Sequence, residues 1–197
     1  MAAKTRQEKM AENREKLIGA GRRAFAANGF SGASMDDLTA EVGLTRGALY
    51  HGFGDKKGLL AAVVDRIDTE LATRARAAGQ QAGGGGAGLM AEGAAYIRMA
   101  LQPEVQRIVL LDGPAVLGDP SQWPSQNRCL QATIETLREL AAMDMIRPVD
   151  IEALARLLNG IALNAALWVA ASEDAAATLP KAIAAFECLA SGALRKD

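Results

Sequence analysis

Between Asn28 and Asp55 the chain carries helix stop and start signals so close together that only short helices fit between them. Asn28-Gly29 is a C-terminal cap signal. Ser34 follows as an N-cap, with Asp36 and Asp37 placed where the positive end of a helix attracts acids. Gly43 ends the short apolar run that carries Leu38 and Val42, and Thr45 opens the next. Gly52-Phe53-Gly54 breaks that helix, and Asp55 caps a longer one. Two short helices joined by a tight glycine turn are the mark of a helix-turn-helix. Leu38, Val42, Leu44 and Leu49 form its expected core, and Gly43 supplies the left-handed backbone of the turn.

The second short helix then presents Thr45, Arg46, Ala48, Tyr50 and His51 outward. These side chains suit a DNA groove. Arginine bonds guanine in pairs, alanine touches a thymine methyl, and threonine donates to phosphates or bases. The alternatives are plainer: Tyr50 and Phe53 packed in the small core, and His51 as a solvated helix end. Arg14, Lys16, Arg22 and Arg23 read equally as a solvated face or as a phosphate-tracking strip.

Outside this segment the helical period continues. Leu17, Gly21, Ala24 and Phe25 predict a helix over about 9–28, and Leu59, Leu60, Val63, Val64, Ile67 and Leu71 predict one that fades at 77–79. Residues 79–88, GQQAGGGGAG, read as a flexible loop. Five further helices are expected over 89–101, 104–111, 125–143, 149–172 and 176–194, separated by Pro and Gly signals. Half of the residues are apolar but only 4% are aromatic, so Ala, Leu, Ile, Val and Met must build the core. Ala and Leu favour helix. The expectation is an all-α chain of about nine helices, with a three-helix helix-turn-helix domain over 1–56 and a helical bundle over 57–197.

Composition also excludes much. A single histidine, His51, argues against multi-histidine metal sites and against a Ser/His/Asp triad. No phosphate loop, dinucleotide fingerprint or Cys-x-x-Cys appears. Neither a catalytic centre, nor a cofactor, nor a metal is expected. Cys129 and Cys188 do not make a disulfide framework and read as small core residues rather than a redox pair. The start, MAAKTRQEKMAENREK, has no apolar leader segment, and the most apolar stretch, Ile161 to Ala171, is too short to span a bilayer. A soluble, cytoplasmic, nucleoid-associated protein with no membrane partner is expected. Formal net charge is only -1, but residues 1–60 carry 10 basic and 7 acidic side chains, a weakly basic module on an acidic body.

Residues 17–64 resemble the TetR family of transcriptional regulators. The resemblance rests on Gly29-Phe30, the Ser34 cap, Val42-Gly43-Leu44, the run from Thr45 to Tyr50, then Phe53, Lys56 and Leu59-Leu60. Two positions depart from the pattern: Gly52 stands where histidine is common, and Thr39 where a small alanine is usual. The resemblance implies that Thr45, Arg46, Tyr50 and His51 face double-stranded DNA and that Ser34 and Lys56 meet phosphates. It further implies a homodimer on a near-palindromic operator, repression, and release by a small-molecule effector bound in the C-terminal bundle. The last two helices are then expected to pair with those of a second copy through Leu154, Leu158, Ile161, Ala165, Trp168, Ile183, Phe186 and Leu189. Met99, Asp112, Trp123, Asn127, Arg128 and Asn159 are the residues expected at a ligand cavity, with ordinary core, loop or helix-end roles as the alternative. A ligand-independent activator and a protein-interaction module remain the competing functions.

Overall fold

Thr5 opens the first helix with a reciprocal cap. Its hydroxyl accepts the Glu8 N–H at 3.2 Å, and the Glu8 carboxylate accepts the Thr5 N–H at 2.7 Å. The structure, a computed structural model, describes residues 5–195. Residues 1–4, where the reading of the chain's start begins, lie outside them. Among the described residues there are nine α-helices and no strand, only an isolated bridge between Ile146 and Leu194. The all-α expectation holds.

The helices are α1 (Arg6–Gly32), α2 (Met35–Glu41), α3 (Arg46–Phe53), α4 (Lys56–Gln81), α5 (Gly85–Arg98), α6 (Gly113–Leu117), α7 (Pro124–Ala142), α8 (Ile151–Ala171) and α9 (Ala175–Ser191). The chain divides into two units, 1–67 with 107–120, and 68–106 with 121–197. By packing, the two units divide within α4, and residues 107–120 belong to the first.

The first unit is built on the buried side chains of Leu17, Phe25, Leu38, Leu49, Leu59 and Val63. Gly21 lets α1 approach α4: a Cβ there would stand 3.1 Å from Leu59 and 3.3 Å from Val63. In the second unit α8 packs on α5, α7 and α9, and Ile97, Leu137, Leu140, Ala155, Val169 and Ala190 are buried. By length and composition alone the whole of α8, Ile151–Ala171, is long and apolar enough to cross a membrane, although its most apolar stretch, 161–171, is not. Six of its side chains are nevertheless buried in its own unit, as in the core helix of a bundle.

Two expected elements differ. Residues 79–88 are not a flexible loop. α4 runs to Gln81 and α5 starts at Gly85, so only three residues turn the chain. The glycines serve close contact instead: a Cβ on Gly88 would lie 2.9 Å from the Gly79 carbonyl oxygen, and one on Gly79 would lie 2.9 Å from the Gly88 oxygen. The helix expected over 104–111 is a π-helix, Val105–Asp112, continued by α6. Pro114 has no N–H and its ring collides with the carbonyl four residues back, which penalises an α register running into it.

Candidate nucleic-acid interface and ligand cavity

The interface is made by local capping. The Ser34 hydroxyl accepts the Asp37 N–H at 3.2 Å and starts α2. Gly43, at φ 67°, turns the chain, and the Leu44 N–H returns to the Thr39 carbonyl at 2.9 Å. The Thr45 hydroxyl then accepts the Ala48 N–H at 3.3 Å and starts α3. Leu49 is the buried residue of α3. Thr45, Arg46, Tyr50 and His51 are exposed, and Ala48 is half-buried. Five of the seven residues expected at DNA thus lie together along one short helix.

Arg46 is aligned rather than loose. Its Nη2 donates to the Tyr50 hydroxyl at 3.2 Å, its guanidinium lies 5.8 Å from the Tyr50 ring centre, and Asp36 is 3.4 Å away. The Tyr50 hydrogen bond first, and the Asp36 charge second, hold it more firmly protonated than a free arginine. Lys56 sits with its Nζ 4.9 Å from the centre of the Phe30 ring and donates to the Ser31 carbonyl at 3.3 Å.

Both departures from the pattern are accommodated. The buried Thr39 hydroxyl donates to the Met35 carbonyl of its own helix at 2.9 Å. The Gly52 carbonyl accepts Arg14 Nη1 at 3.1 Å, and Arg14 stacks 4.5 Å over Phe53. Arg14 therefore holds the end of α3. Lys16 pairs with Glu12 at 3.0 Å and Arg23 with Glu41 at 2.6 Å, so much of the basic face of α1 is neutralised on the surface.

The second unit holds a mainly apolar, partly open cavity of about 90 Å³ among α4, α5, α7, α8 and α9. Ala72, Leu89, Leu158 and Phe186 form apolar walls; Glu92, Tyr96, Cys129, Thr133 and Asn159 bring polar groups. The Tyr96 hydroxyl is buried, with the Gln126 side chain as its polar neighbour. Burial first, then the Asp68 carboxylate, push its pKa upward. Burial also raises Glu92, against the pull of Arg76. The Cys129 thiol is pushed up to about 11, chiefly by burial and next by Asp68, so it is a poor nucleophile. Thr133 Oγ1 lies 3.0 Å from Asn159 Oδ1 and 3.0 Å from the Cys129 carbonyl of its own helix, and its single hydrogen serves one of the two at a time. Buried Asp68 accepts Ser125 Oγ at 2.7 Å and Gln126 Nε2 at 3.2 Å beside the cavity.

Of the six residues expected at a ligand cavity, Asn159 lines it. Arg128 lies in an adjoining open groove, bonded to Thr69 at 3.2 Å, and Asn127 in a shallow surface depression. Met99 and Trp123 are buried in the core and do not line the cavity. Asp112 is engaged in the first unit, where it accepts the Phe30 N–H at 2.7 Å. Glu92, Tyr96 and Thr133 were missed. Glu92 and Tyr96 stand four apart on a helix of small residues, the one signal that marks them as sharing a face.

The residues expected to pair with a second copy differ in their burial. Leu158, Ala165, Ile183 and Phe186 are buried in their own unit, Leu154 and Ile161 are half-buried, and Trp168 and Leu189 are 50% and 61% exposed. The apolar face left open on α8 runs through the expected Ile161 and Trp168 together with Leu157, which is 65% exposed. Because α8 is apolar on nearly every side, its periodicity does not say which side turns inward.

A capped helix-turn-helix with an exposed polar second helix, joined to a separate helical unit with its own cavity, defines a DNA-binding regulator with a sensor-like second unit. Residues 17–63 match the family described as "Bacterial regulatory proteins, tetR family", and residues 87–193 match "Tetracyclin repressor-like, C-terminal domain". A solved TetR-family transcriptional regulator from Pectobacterium atrosepticum is 44% identical, with a TM-score of 0.88, over 98% of this chain and 99% of that one. The HTH-type transcriptional repressor AcnR of Corynebacterium jeikeium is 28% identical over 76% of this chain and 77% of its own length. AcnR of Corynebacterium glutamicum is 38% identical over 56 residues, 28% of this chain, and the match spans 30% of that relative. The chain belongs to the TetR family of bacterial transcriptional regulators.

Proposed function

We propose that this protein is a homodimeric, operator-binding repressor released by a small molecule bound in the cavity of its second unit. The observation that carries the reading is the face of α3: Thr45, Arg46, Tyr50 and His51 exposed around one buried anchor, Leu49. Arg46, steered by Asp36 and Tyr50, reads a base edge, most simply the two acceptors of guanine. Ala48 contacts a thymine methyl, and Thr45, Tyr50 and His51 contact phosphate or bases. Ser34 and Lys56 take phosphates on either side, fixing register without reading sequence.

Two copies meet through the open face of α8 with Leu189 of α9, which presents two α3 helices to a near-palindromic site in the cytoplasm, on the nucleoid. The effector is a compact, mainly apolar molecule that offers a donor to Glu92 and an acceptor to Tyr96 or the Asn159 amide. α4 lends Ala72 to the cavity wall and Lys56 to the DNA side, so one continuous helix belongs to both sites. Release requires the effector to bind the DNA-free state more tightly than the DNA-bound state.

Selection of bound duplexes from a random pool tests the reading. The expected result is a palindromic consensus. Failure to enrich any sequence over non-specific duplex, with or without effector candidates, would overturn it.

A further inference from the structure

Asp112 and Arg107 lie far along the chain from the helix-turn-helix, yet they hold its first corner. Gly29 leaves the helical path of α1 at φ 68°, ψ 175°, and this breaks the hydrogen-bond ladder. The Phe30 N–H that follows takes its acceptor from outside the helix: Asp112 Oδ2, at 2.7 Å. That carboxylate is only 20% exposed, and Arg107 Nε stands 3.4 Å from the same oxygen. The Arg107 guanidinium lies in the space that a side-chain carbon on Gly29 would occupy. Gly29 is thus demanded twice, by its positive φ and by the guanidinium seated against it.

The corner in turn holds a cation. The Phe30 ring lies under Lys56 Nζ, and the next carbonyl, that of Ser31, accepts from the same nitrogen. A line of direct contacts therefore runs from Asp112 to the Phe30 N–H, across the Phe30–Ser31 backbone, to Lys56. We propose that Asp112, braced by Arg107, is a positioning residue for DNA binding: it fixes the Phe30–Ser31 corner and so places the Lys56 ammonium at the phosphate backbone. The DNA-binding unit then extends beyond the N-terminal sequence to the segment that carries Arg107 and Asp112. Any movement of that segment reaches Lys56 without passing through α3. The inference rests on the reading of Lys56 as a phosphate contact.

The test is the salt dependence of operator affinity in the full-length protein, measured for the wild type, Lys56→Ala, Asp112→Ala, Asp112→Asn and the Lys56→Ala/Asp112→Ala double variant. One lost phosphate contact lowers the slope of log affinity against log salt by about 0.9, and affinity by about three- to tenfold. Lys56→Ala is expected to show that loss, and Asp112→Ala much of it. Asp112→Asn, which keeps an oxygen for the Phe30 N–H, should bind as the wild type does. In the Lys56→Ala background, Asp112→Ala should add nothing.

An Asp112→Ala loss that is equal in both backgrounds, or one that leaves the slope unchanged, would overturn the positioning role. An unchanged slope in Lys56→Ala alone would overturn the phosphate reading beneath it. Should Asp112→Ala fail to fold, Arg107→Ala keeps the carboxylate. It should then produce a smaller loss in the same direction, and a slope identical to that of the wild type would overturn the proposal.

Discussion

Gly88→Ala separates a packed helical hairpin from a loose glycine linker by the sign of its effect. In a loose linker an alanine reduces the freedom of the unfolded chain and stabilises, by about 0.4–1 kcal/mol. In this structure Gly88 lies inside α5, and an added Cβ would meet the Gly79 carbonyl oxygen at 2.9 Å and the Gly79 carbonyl carbon at 3.5 Å. Both are backbone atoms and cannot rotate away, so the helices must separate. Overpacking of this kind costs about 1–3 kcal/mol. The better helix propensity of alanine returns about 1 kcal/mol. The net expectation is a loss of about 1 kcal/mol, and up to about 2. Each kilocalorie lowers Tm by roughly 2–4 °C in a chain of this size. Gly19→Ala in α1 is the control, since its only neighbour is the flexible end of Arg23 at 3.6 Å, and it should stabilise. The assay is paired thermal and urea unfolding followed by circular dichroism. A Gly88→Ala protein that melts above the wild type would refute the hairpin reasoning.

The cavity and the open α8 face make further predictions. Burial raises the Glu92 pKa in the folded protein, so ionising it destabilises the fold as pH rises past the unfolded value near 4.5. Glu92→Gln should therefore melt above the wild type at pH 7, with the difference shrinking toward pH 4; a constant difference would contradict this. Cys129, held at about 11, should carry about a hundredfold less thiolate at pH 8 than a thiol at 9.0. In a Cys188→Ser background its alkylation should be correspondingly slow in the folded protein and fast in urea. Leu157→Glu places a charge on the open face of α8, and sedimentation should show it shifting the dimer toward monomer while the helical content is kept.

Legibility in the sequence followed the range of the interactions. Ser34, Gly43, Thr45 and Gly54 act within three or four residues of themselves, so the helix-turn-helix and its outward side chains could be read directly. The glycines of 79–88 misled because their role is a contact between two helices, and composition alone does not separate that role from flexibility. Asp112 looked like a helix end that faces a cavity; its partner, the Phe30 N–H, is 82 positions away, and no local pattern announces it. The apolar stripe of α9 places Phe186 at a pairing face, but it packs over Gly93, where no side chain competes for the space. The inward face of α8 depends on which of its apolar sides the neighbouring helices cover.

The most direct test of the central claim is a titration of the selected operator, and of an unrelated duplex of equal length, with wild type and Arg46→Ala at two salt concentrations. Two chains per operator are expected, with affinity that falls steeply with salt for both proteins. Arg46→Ala is expected to lose about ten- to a hundredfold on the operator while binding the unrelated duplex nearly as the wild type does. Equal losses on both duplexes, or none on either, would mean that α3 does not read the bases.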